Sequence, residues 1–449
     1  IDLWADAAAS LPPNSHDRAG IQNNLGYALQ YLYMRTGRLE DLEQAIAAST
    51  AAVNQTPDIS PDRAIYQTNL GIGLYHRYAR TGRLEDLERA IAAWEDAVAR
   101  TTANPVRRAS YINNLGPGLR ERYMRTGRWE DLERAISMWE EAIANTPDNS
   151  PSRAAIMTNL GNGLSDRYAR TGQLTDLERA IAAFENAVAR TSDDSPNWAM
   201  IQTNLGNGLS DRYARTGQLA DLERAIAACE DALAHDIPDS PNRAAHQINL
   251  SLKLRARYVR FGRPIDLKLA VALVREACLS LEGIANDVSL RAARMWAKLA
   301  LACQSWEETL QAATQGHATL LSLDRASILA EERLSWRREV QGLAAAEAYA
   351  CMRLGGDPQA AVLALESGQA GQLNAALGRG RDRELLVRLR GDDSALFTAY
   401  QAAAAEARAA QSAGGDIWRN TSSVQPDAAT IRARATAAQK ALDDVVARI

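Results

Sequence analysis

The sequence returns to itself every 45 residues. An Asn-Leu pair recurs with Asn at positions 24, 69, 114, 159, 204 and 249, a constant step of 45. Arg-x-Gly keeps the same phase at Arg35, Arg80, Arg125, Arg170, Arg215 and Arg260, and Asp-Leu keeps it at Asp41, Asp86, Asp131, Asp176, Asp221 and Asp266. Three anchors in fixed phase over six copies mark a repeat architecture in which each copy is one supersecondary unit. Copies four and five are nearly identical from Gly161 and Gly206 onward, which points to recent duplication.

Each copy reads as two helices. In copy two, Ser60-Pro61 is a start signal, because Ser can cap and Pro in the first turn loses no needed N–H. Leu70, Leu74 and Tyr78 then fall at four-residue spacing on one face of helix A. Gly82 supplies the left-handed residue that ends it. Glu85 and Asp86 place negative charge at the start of helix B, and Glu85 and Arg89 form a favourable i, i+4 pair. Leu87, Ile91, Trp94 and Val98 are the buried stripe of helix B, and Thr101 to Pro105 leads to the next copy. A lone pair of such helices cannot bury its apolar faces, but stacked copies can. The expected fold is therefore an all-α solenoid of helix pairs wound as a right-handed superhelix.

Composition narrows the function classes. Lys and Arg number 51 against 55 Asp and Glu in 449 residues, a net charge of −4, without the basic excess typical of a nucleic-acid binder. No apolar run approaches the ~20 residues of a membrane span. The four cysteines are far apart and form no CxxC pair, so neither a disulfide framework nor a zinc site is expected and a cytoplasmic location fits. The start at Ile1 and the lack of a signal-peptide pattern suggest a portion of a longer protein.

The repeat resembles tetratricopeptide (TPR) repeats: Leu70-Gly71 and Leu74 in helix A, then Ala90, Trp94 and Ala97 in helix B, with counterparts in the other copies. The longer period implies extended helices. This resemblance covers residues 16–280, so residues 1–280 are assigned to six TPR-like copies. Residues 281–380 read as degenerate helical repeats and an adaptor, with Trp296 and Trp306 as core aromatics. A long helix is expected from Ile328 to Leu354, then a Gly-Gly-Asp-Pro break and the stretch AVLALESGQAGQLNAAL. Residues 381–449 read as a helical linker, with a loop over 412–427. This layout resembles the segment that precedes the peptidase in proteins combining repeat arrays with a CHAT domain, a caspase-like cysteine peptidase. That resemblance implies a regulatory region of such a peptidase, linked in cis or in trans, with roles in bacterial defence or cell death. The His and Cys that CHAT members place after core strands have no counterpart here, so the catalytic domain itself is absent from this chain.

The candidate site is the helix-A face. By the TPR resemblance, the Asn of each copy (Asn24, Asn69, Asn114, Asn159, Asn204, Asn249) faces a groove, where an amide can donate to and accept from an extended peptide backbone. The alternative is that it bridges adjacent helices A and sets repeat geometry. Specificity would come from positions three and seven residues further on: Tyr27 and Tyr31, Ile72 and His76, Pro117 and Glu121, Asn162 and Asp166, Asn207 and Asp211, Leu252 and Ala256. These run from aromatic to acidic, although Arg122, Arg167 and Arg212 directly follow the acids and could neutralise them. Pro117 stands inside helix A of copy three, where it removes a backbone hydrogen bond and either kinks the groove or is tolerated with a local bend.

No catalytic constellation emerges. Cys229 stands where other copies have Trp94, Trp139 and Phe184, and Cys278 where they have Val53, Val98, Ile143 and Val188. Cys303 and Cys351 lie on Ala-rich helices, so all four read as small core hydrophobes. The five histidines fall at unrelated repeat positions, and Gly71/Gly73, Gly161/Gly163 and Gly206/Gly208 read as mid-helix close packing rather than a phosphate cradle. The expectation is a non-enzymatic interaction scaffold with no cofactor, no metal, no nucleic acid and no membrane. Its ligand is a protein or peptide; the alternative is a stand-alone peptide-signal sensor or adaptor with no linked peptidase.

Overall fold

The computed structural model describes residues 1–12, 15–236, 242–281, 287–326 and 342–366, with isolated residues between 395 and 445. All regular structure among these is α-helical. The chain divides into two compact units, one of Ile1–His235 and one from Asp236 onward.

In the first unit, α1 (Asp2–Ser10) precedes five helix pairs: α2 (His16–Thr36) with α3 (Leu39–Gln55), α4 (Arg63–Thr81) with α5 (Leu84–Arg100), α6 (Pro105–Thr126) with α7 (Trp129–Asn145), α8 (Ser152–Thr171) with α9 (Leu174–Val188), and α10 (Trp198–Thr216) with α11 (Leu219–Ala234). Each even-numbered helix is a helix A and each odd-numbered partner a helix B. Helix B also packs on the next helix A, and successive helices A touch one another. In the second unit α12 (Arg243–Phe261) pairs with α13 (Pro264–Ser280), and α14 (Asp287–Ala302) with α15 (Trp306–Ala326), followed by α16 (Leu343–Arg353). The all-α solenoid of helix pairs expected from the repeat is present.

The turn between the two helices is made the same way in every copy. Gly37, Gly82, Gly127, Gly172, Gly217 and Gly262 all have φ between 63° and 73°, the left-handed region, and each N–H donates to the carbonyl of the Tyr four residues earlier. Helix A of copy two begins at Arg63, so the Ser60-Pro61 start signal belongs to the turn before it, where Ser60 Oγ accepts from the Asp62 N–H at 3.3 Å. Arg63, Arg108 and Arg153 reach back to C-terminal carbonyls of the preceding helix B: Arg63 to Val53 at 2.8 Å, Arg108 to Val98 at 2.6 Å and Arg153 to Ile143 at 2.6 Å. A cation there satisfies orphan carbonyls and suits the helix dipole.

The core lies between the two helix rows. Leu87, Ile91, Trp94 and Val98 are buried, as are Leu70, Leu74 and Tyr78. The helix-A glycines make room for the rings of helix B. A methyl group at Gly71 would stand 2.4 Å from Trp94 Nε1, and one at Gly118 of the next copy 2.8 Å from the same indole. Trp139 is held likewise between Gly116 and Gly163. Phe184 crowds Gly161 in the same way, with Gly208 of the next copy at ordinary contact distance on its other side. Each ring therefore joins its own copy to the next. In copy one the position is Ser49 and in copy five Cys229, both fully buried. α6 runs unbroken through Pro117. Trp296 is buried, while Trp306 is half-buried, edge-on to Tyr349 with the Arg353 guanidinium over its ring.

Two expectations need correction here. Cys303 is exposed, because α14 ends at Ala302 and Gln304 turns at φ 57°; Cys351 is half-buried, and only Cys229 and Cys278 are core residues. α16 begins at Leu343, after Gly342 at φ 95°; residues 328–341 of the long helix expected from Ile328 lie outside the described residues. The same holds for the loop at 412–427 and for most of AVLALESGQAGQLNAAL beyond residue 366.

Truncating Trp139 to Ala should lower stability by ~3–5 kcal/mol. Hydrogen-exchange protection should fall first in copies three and four and only later in copy one, because coupling in a repeat stack is between neighbours. Conversion to Phe discriminates more finely. The Trp94 N–H donates to the Thr68 carbonyl at 3.2 Å, whereas the buried Trp139 N–H finds no acceptor among the described residues. Trp139→Phe should therefore cost less than Trp94→Phe in denaturant titrations, by about 1 kcal/mol.

Candidate functional site

The helix-A row carries the predicted site residues, and its side chains are tied largely to one another. Asn69 Nδ2 donates to Asn23 Oδ1 at 2.8 Å, and Asn159 Nδ2 to Asn113 Oδ1 at 2.9 Å; in both cases the acceptor lies on the preceding helix A. Gln30 Nε2 adds a bond to the Asn69 carbonyl at 2.8 Å. At these two copies the amide donor is engaged in the seam between helices A. Thr68 and Thr158 stand at the residue before Asn69 and Asn159. Their hydroxyls donate to the Ala64 and Ala154 carbonyls, so copies two and four offer no corresponding amide to Asn114 and Asn204. Asn114, Asn204 and Asn249 are partly buried, and Asn24 is exposed.

The positions further along diverge. Tyr27 and Tyr31 are 63% and 45% exposed, whereas His76 and Glu121, at the position of Tyr31, are buried. Glu121 accepts a hydrogen bond from the Tyr78 hydroxyl of the preceding helix A at 2.8 Å, and Arg125 Nε donates to that same hydroxyl at 2.9 Å with its guanidinium over the ring. Burial, reinforced by the Glu121 charge, pushes the Tyr78 phenol up to about 12. His76 lies beside Tyr33 of copy one, with ring centroids 6.1 Å apart. Asp166 is paired with Arg120 of the preceding helix A, while Asn162 and Asn207 are partly buried and Asp211 is exposed. The expected aromatic-to-acidic gradient is thus not a row of open side chains. His76 and Glu121 are packed into the seam and Asp166 is ion-paired across it.

The expected neutralisation by Arg122, Arg167 and Arg212 is also corrected. Each reaches nine residues onward to the Asp of the Asp-Leu anchor in the first turn of helix B. Arg122 Nε and Nη2 meet Asp131 at 2.7 and 2.6 Å, Arg167 meets Asp176 at 3.0 and 2.6 Å, and Arg212 meets Asp221 at 2.9 and 2.6 Å. Arg77–Asp86 and Arg257–Asp266 repeat the bidentate geometry. Hydrogen bonding to the partner Asp outweighs burial and raises each of Arg77, Arg122, Arg167 and Arg212 above the usual guanidinium range. Copy one has Leu32 at this position. Its Asp41 is bound instead by Arg38 at 3.0 and 2.8 Å and by the Thr36 hydroxyl at 2.9 Å, and the Arg38 bond holds the Asp41 carboxyl below its ordinary range.

A second charge ladder joins successive helices B. Arg134 pairs with Glu95 and Arg224 with Glu185, each at 2.5 Å, and Arg179 pairs with Glu140. Glu88 and Glu133 bind Arg122 and Arg167 of the following copy at 2.6 and 3.1 Å. Neither the Arg–Asp clamp nor these ladders was read from the sequence, although the signal was present: Arg-Tyr precedes Asp-Leu by nine residues in five copies. Among the described residues no group of three His, Cys, Asp or Glu is placed to hold a metal, and no helix is long and apolar enough to cross a membrane.

No protein-family model matches the chain, and no curated protein does. Among solved structures the chain is similar to the nearly identical TPR-like repeats of a putative kinesin light chain from Podosopora anserina, at 20% identity over 48% of this chain and 96% of that one, with a TM-score of 0.35. It is similar to pilF of Pseudomonas aeruginosa at 17% identity over 60% and 92%, with a TM-score of 0.39. A third is YrrB, a TPR protein with an unusual peptide-binding site, at 18% identity over 50% and 92%, with a TM-score of 0.34.

The clamp predicts a sharp asymmetry. Asp131→Ala leaves Arg122 without its buried partner and should cost ~3–5 kcal/mol, whereas the double change Arg122→Met with Asp131→Leu should recover much of that loss in chemical denaturation. The buried histidine predicts a pH response. Burial lowers His76 from 6.5 to about 4, so the unfolded chain binds the extra proton between those values. Stability should be level above pH ~6.5 and fall by roughly 3 kcal/mol on this account as the pH drops toward 4. His76→Asn should flatten that slope in part, His246 being buried with a similarly lowered value of about 4.

Proposed function

We propose that this chain is a protein-interaction scaffold that binds a protein or peptide segment on its helix-A face. The observation that carries the reading is a pair of exposed tyrosines one turn apart on helix A of copy one. There Asn24, Tyr27 and Tyr31 are all exposed, while the copy-two counterpart of Asn24, Asn69, and the counterparts of Tyr31 in copies two and three, His76 and Glu121, are engaged by the preceding helix A. Two tyrosines one turn apart, next to a free-standing amide, supply large contact area at low entropy cost together with hydrogen-bonding capacity. Asn204, Asn207 and Asp211 extend the candidate surface in copy five, with Asp211 selecting for basic ligands more than adding affinity. Asn69, Asn159, Asp166, His76 and Glu121 then serve as frame, setting the spacing between helices A along which the segment lies, while Asn114 and Asn162 remain partly accessible to it.

The finer reading, carried by the resemblance in AVLALESGQAGQLNAAL and the helical stretches around it, is a regulatory region of a CHAT-type cysteine peptidase, supplied in cis or by a partner. Occupancy of the helix-A face would then be the event relayed to the peptidase. The alternative is a stand-alone peptide-signal sensor.

The test is affinity capture with the chain as bait, followed by binding measurements on the captured partner. Tyr27→Ala with Tyr31→Ala should weaken that partner by at least ~10-fold without loss of helical content. Asn69→Ala with Asn159→Ala, which removes the two seam amides, should act through stability more than through binding. A partner indifferent to the tyrosine pair would refute the helix-A reading, and a partner that contains no peptidase would favour the stand-alone sensor.

A further inference from the structure

Copy six departs from the other five at the start of helix B. The Asp-Leu anchor is followed by Glu in every other copy, at Glu43, Glu88, Glu133, Glu178 and Glu223; in copy six it is followed by Lys268. The next residue is Arg in copies two to five, at Arg89, Arg134, Arg179 and Arg224, and here it is Leu269. The residue before the Asp is Glu40, Glu85 and Glu130 in copies one to three, and here it is Ile265. At the end of helix A, Phe261 replaces the Thr that closes α2, α4, α6, α8 and α10.

These changes produce one surface. Ile265 and Leu269 are one turn apart on α13 and are 67% and 42% exposed; Val259 and Phe261, at the end of α12, are 73% and 42% exposed. Arg260, Arg263 and Lys268 are exposed around them, with the Arg263 guanidinium 5.4 Å from the Phe261 ring. The acid within this stretch, Asp266, is buried and bound by Arg257. Glu276 is the next exposed acid on α13, two turns beyond Leu269. The Glu of this position makes an ion pair with the following repeat in copies two and three, and the Arg pairs with the preceding repeat in copies three to five. Copy six is followed by α14, which packs on α13, and the mere loss of the regular 45-residue phase beyond it calls for no apolar side chains at exposed positions. Copy six instead reverses one charge, puts Leu269 where copies two to five have Arg, and puts Ile265 where the others have Glu, Thr175 or Ala220.

We propose that the α12–α13 corner of copy six is a docking surface for an acidic amphipathic segment of a partner protein, its apolar side seated on Val259, Phe261, Ile265 and Leu269 and its carboxylates meeting Arg260, Arg263 and Lys268. Charge complementarity selects this occupant. The rim offers three exposed cations with no exposed acid among them, and carboxylates placed beside guanidinium and ammonium groups steer and orient an apolar contact. The site is separate from the helix-A face and does not depend on it.

The experiment pans the full chain against a displayed library of 16-residue helical peptides and measures the enriched peptides by fluorescence anisotropy. Ile265→Glu with Leu269→Arg restores the pattern of copies two and three, so the variant has a built-in precedent for folding; circular dichroism and thermal melting check it. Lys268→Glu restores the residue of all five other copies and tests charge alone. The expected result is enrichment of peptides with acids flanking Leu or Phe, weakened at least ~10-fold by each variant and progressively by salt. Enriched peptides that are basic, or that bind both variants as tightly as the parent, overturn the proposal, as does an absence of enrichment. Two further arms separate other occupants. Patch-dependent retention on phosphatidylserine vesicles with no peptide binding would assign the corner to a lipid surface. A concentration-dependent dimer abolished by Ile265→Glu with Leu269→Arg would assign it to a second copy. Either outcome overturns the proposal.

Discussion

The bidentate contact between an Arg near the end of helix A and the Asp in the first turn of helix B fixes each repeat. Asp86, Asp131, Asp176, Asp221 and Asp266 are all buried, and each is met by two guanidinium nitrogens across the A-to-B turn. Both charges also sit at favourable ends of their helix dipoles, the Arg toward a C-terminus and the Asp at an N-terminus. Such a pair adds little net stability over well-packed apolar residues, because both ions are desolvated. It supplies direction instead: planar, two-point contact admits one relative orientation of the helices, and the left-handed Gly between them makes the reversal short enough to reach. Copy one reaches the same end by other means, with Arg38 and Thr36 holding Asp41 where Leu32 replaces the Arg.

The rings of helix B then set the spacing between copies. Trp94 and Trp139 each press against a glycine of their own helix A and another two positions on in the next copy, so every ring belongs to two repeats. Glycine in a helix costs about 1 kcal/mol relative to alanine, and the close approach of an indole offsets it. Where the ring is absent, the opposing residue changes the demand. Ser49 and Cys229 fill the same position at far smaller volume, so copies one and five are packed differently at their centres, although copy five keeps the clamp through Arg212 and Asp221.

The period, the helix boundaries to within a few residues, the buried stripe of helix B and the close packing at Gly71 and Gly73 were legible because each follows from local sequence repeated six times. The seam between helices A was not, because its partners lie some 45 residues apart and the position before the anchor Asn varies, from Asn23 and Asn113 to Thr68, Thr158 and Thr203 and then Ile248. Helical geometry accounts for the misplaced residues. Seven positions bring a helix to within about 20° of its starting direction, so once Asn69 turns toward the preceding helix, His76 turns the same way; Glu121 keeps that direction in copy three. Three positions leave a residue about 60° away, which is why Ile72 and Asn162 remain partly accessible. In copy one both positions, at Tyr27 and Tyr31, are exposed.

A strict repeat therefore hides its surfaces by the regularity that reveals its fold. Residues that recur unchanged are largely explained by one another, as Arg122 is by Asp131 and Glu88. Departures from the pattern divide in two. Ser49 and Cys229 depart inside the core, where the neighbouring glycines answer them, and they carry no surface information. Tyr27 and Tyr31 in copy one, and Ile265, Lys268 and Leu269 in copy six, depart at exposed positions where the internal ion pairs and seam contacts of the other copies stop. Keeping an apolar side chain at such a position gains nothing from folding, since it is hydrated in both states, and it adds an aggregation liability that a polar residue would remove. Departure combined with exposure is what separates a docking surface from a packing adjustment in this array.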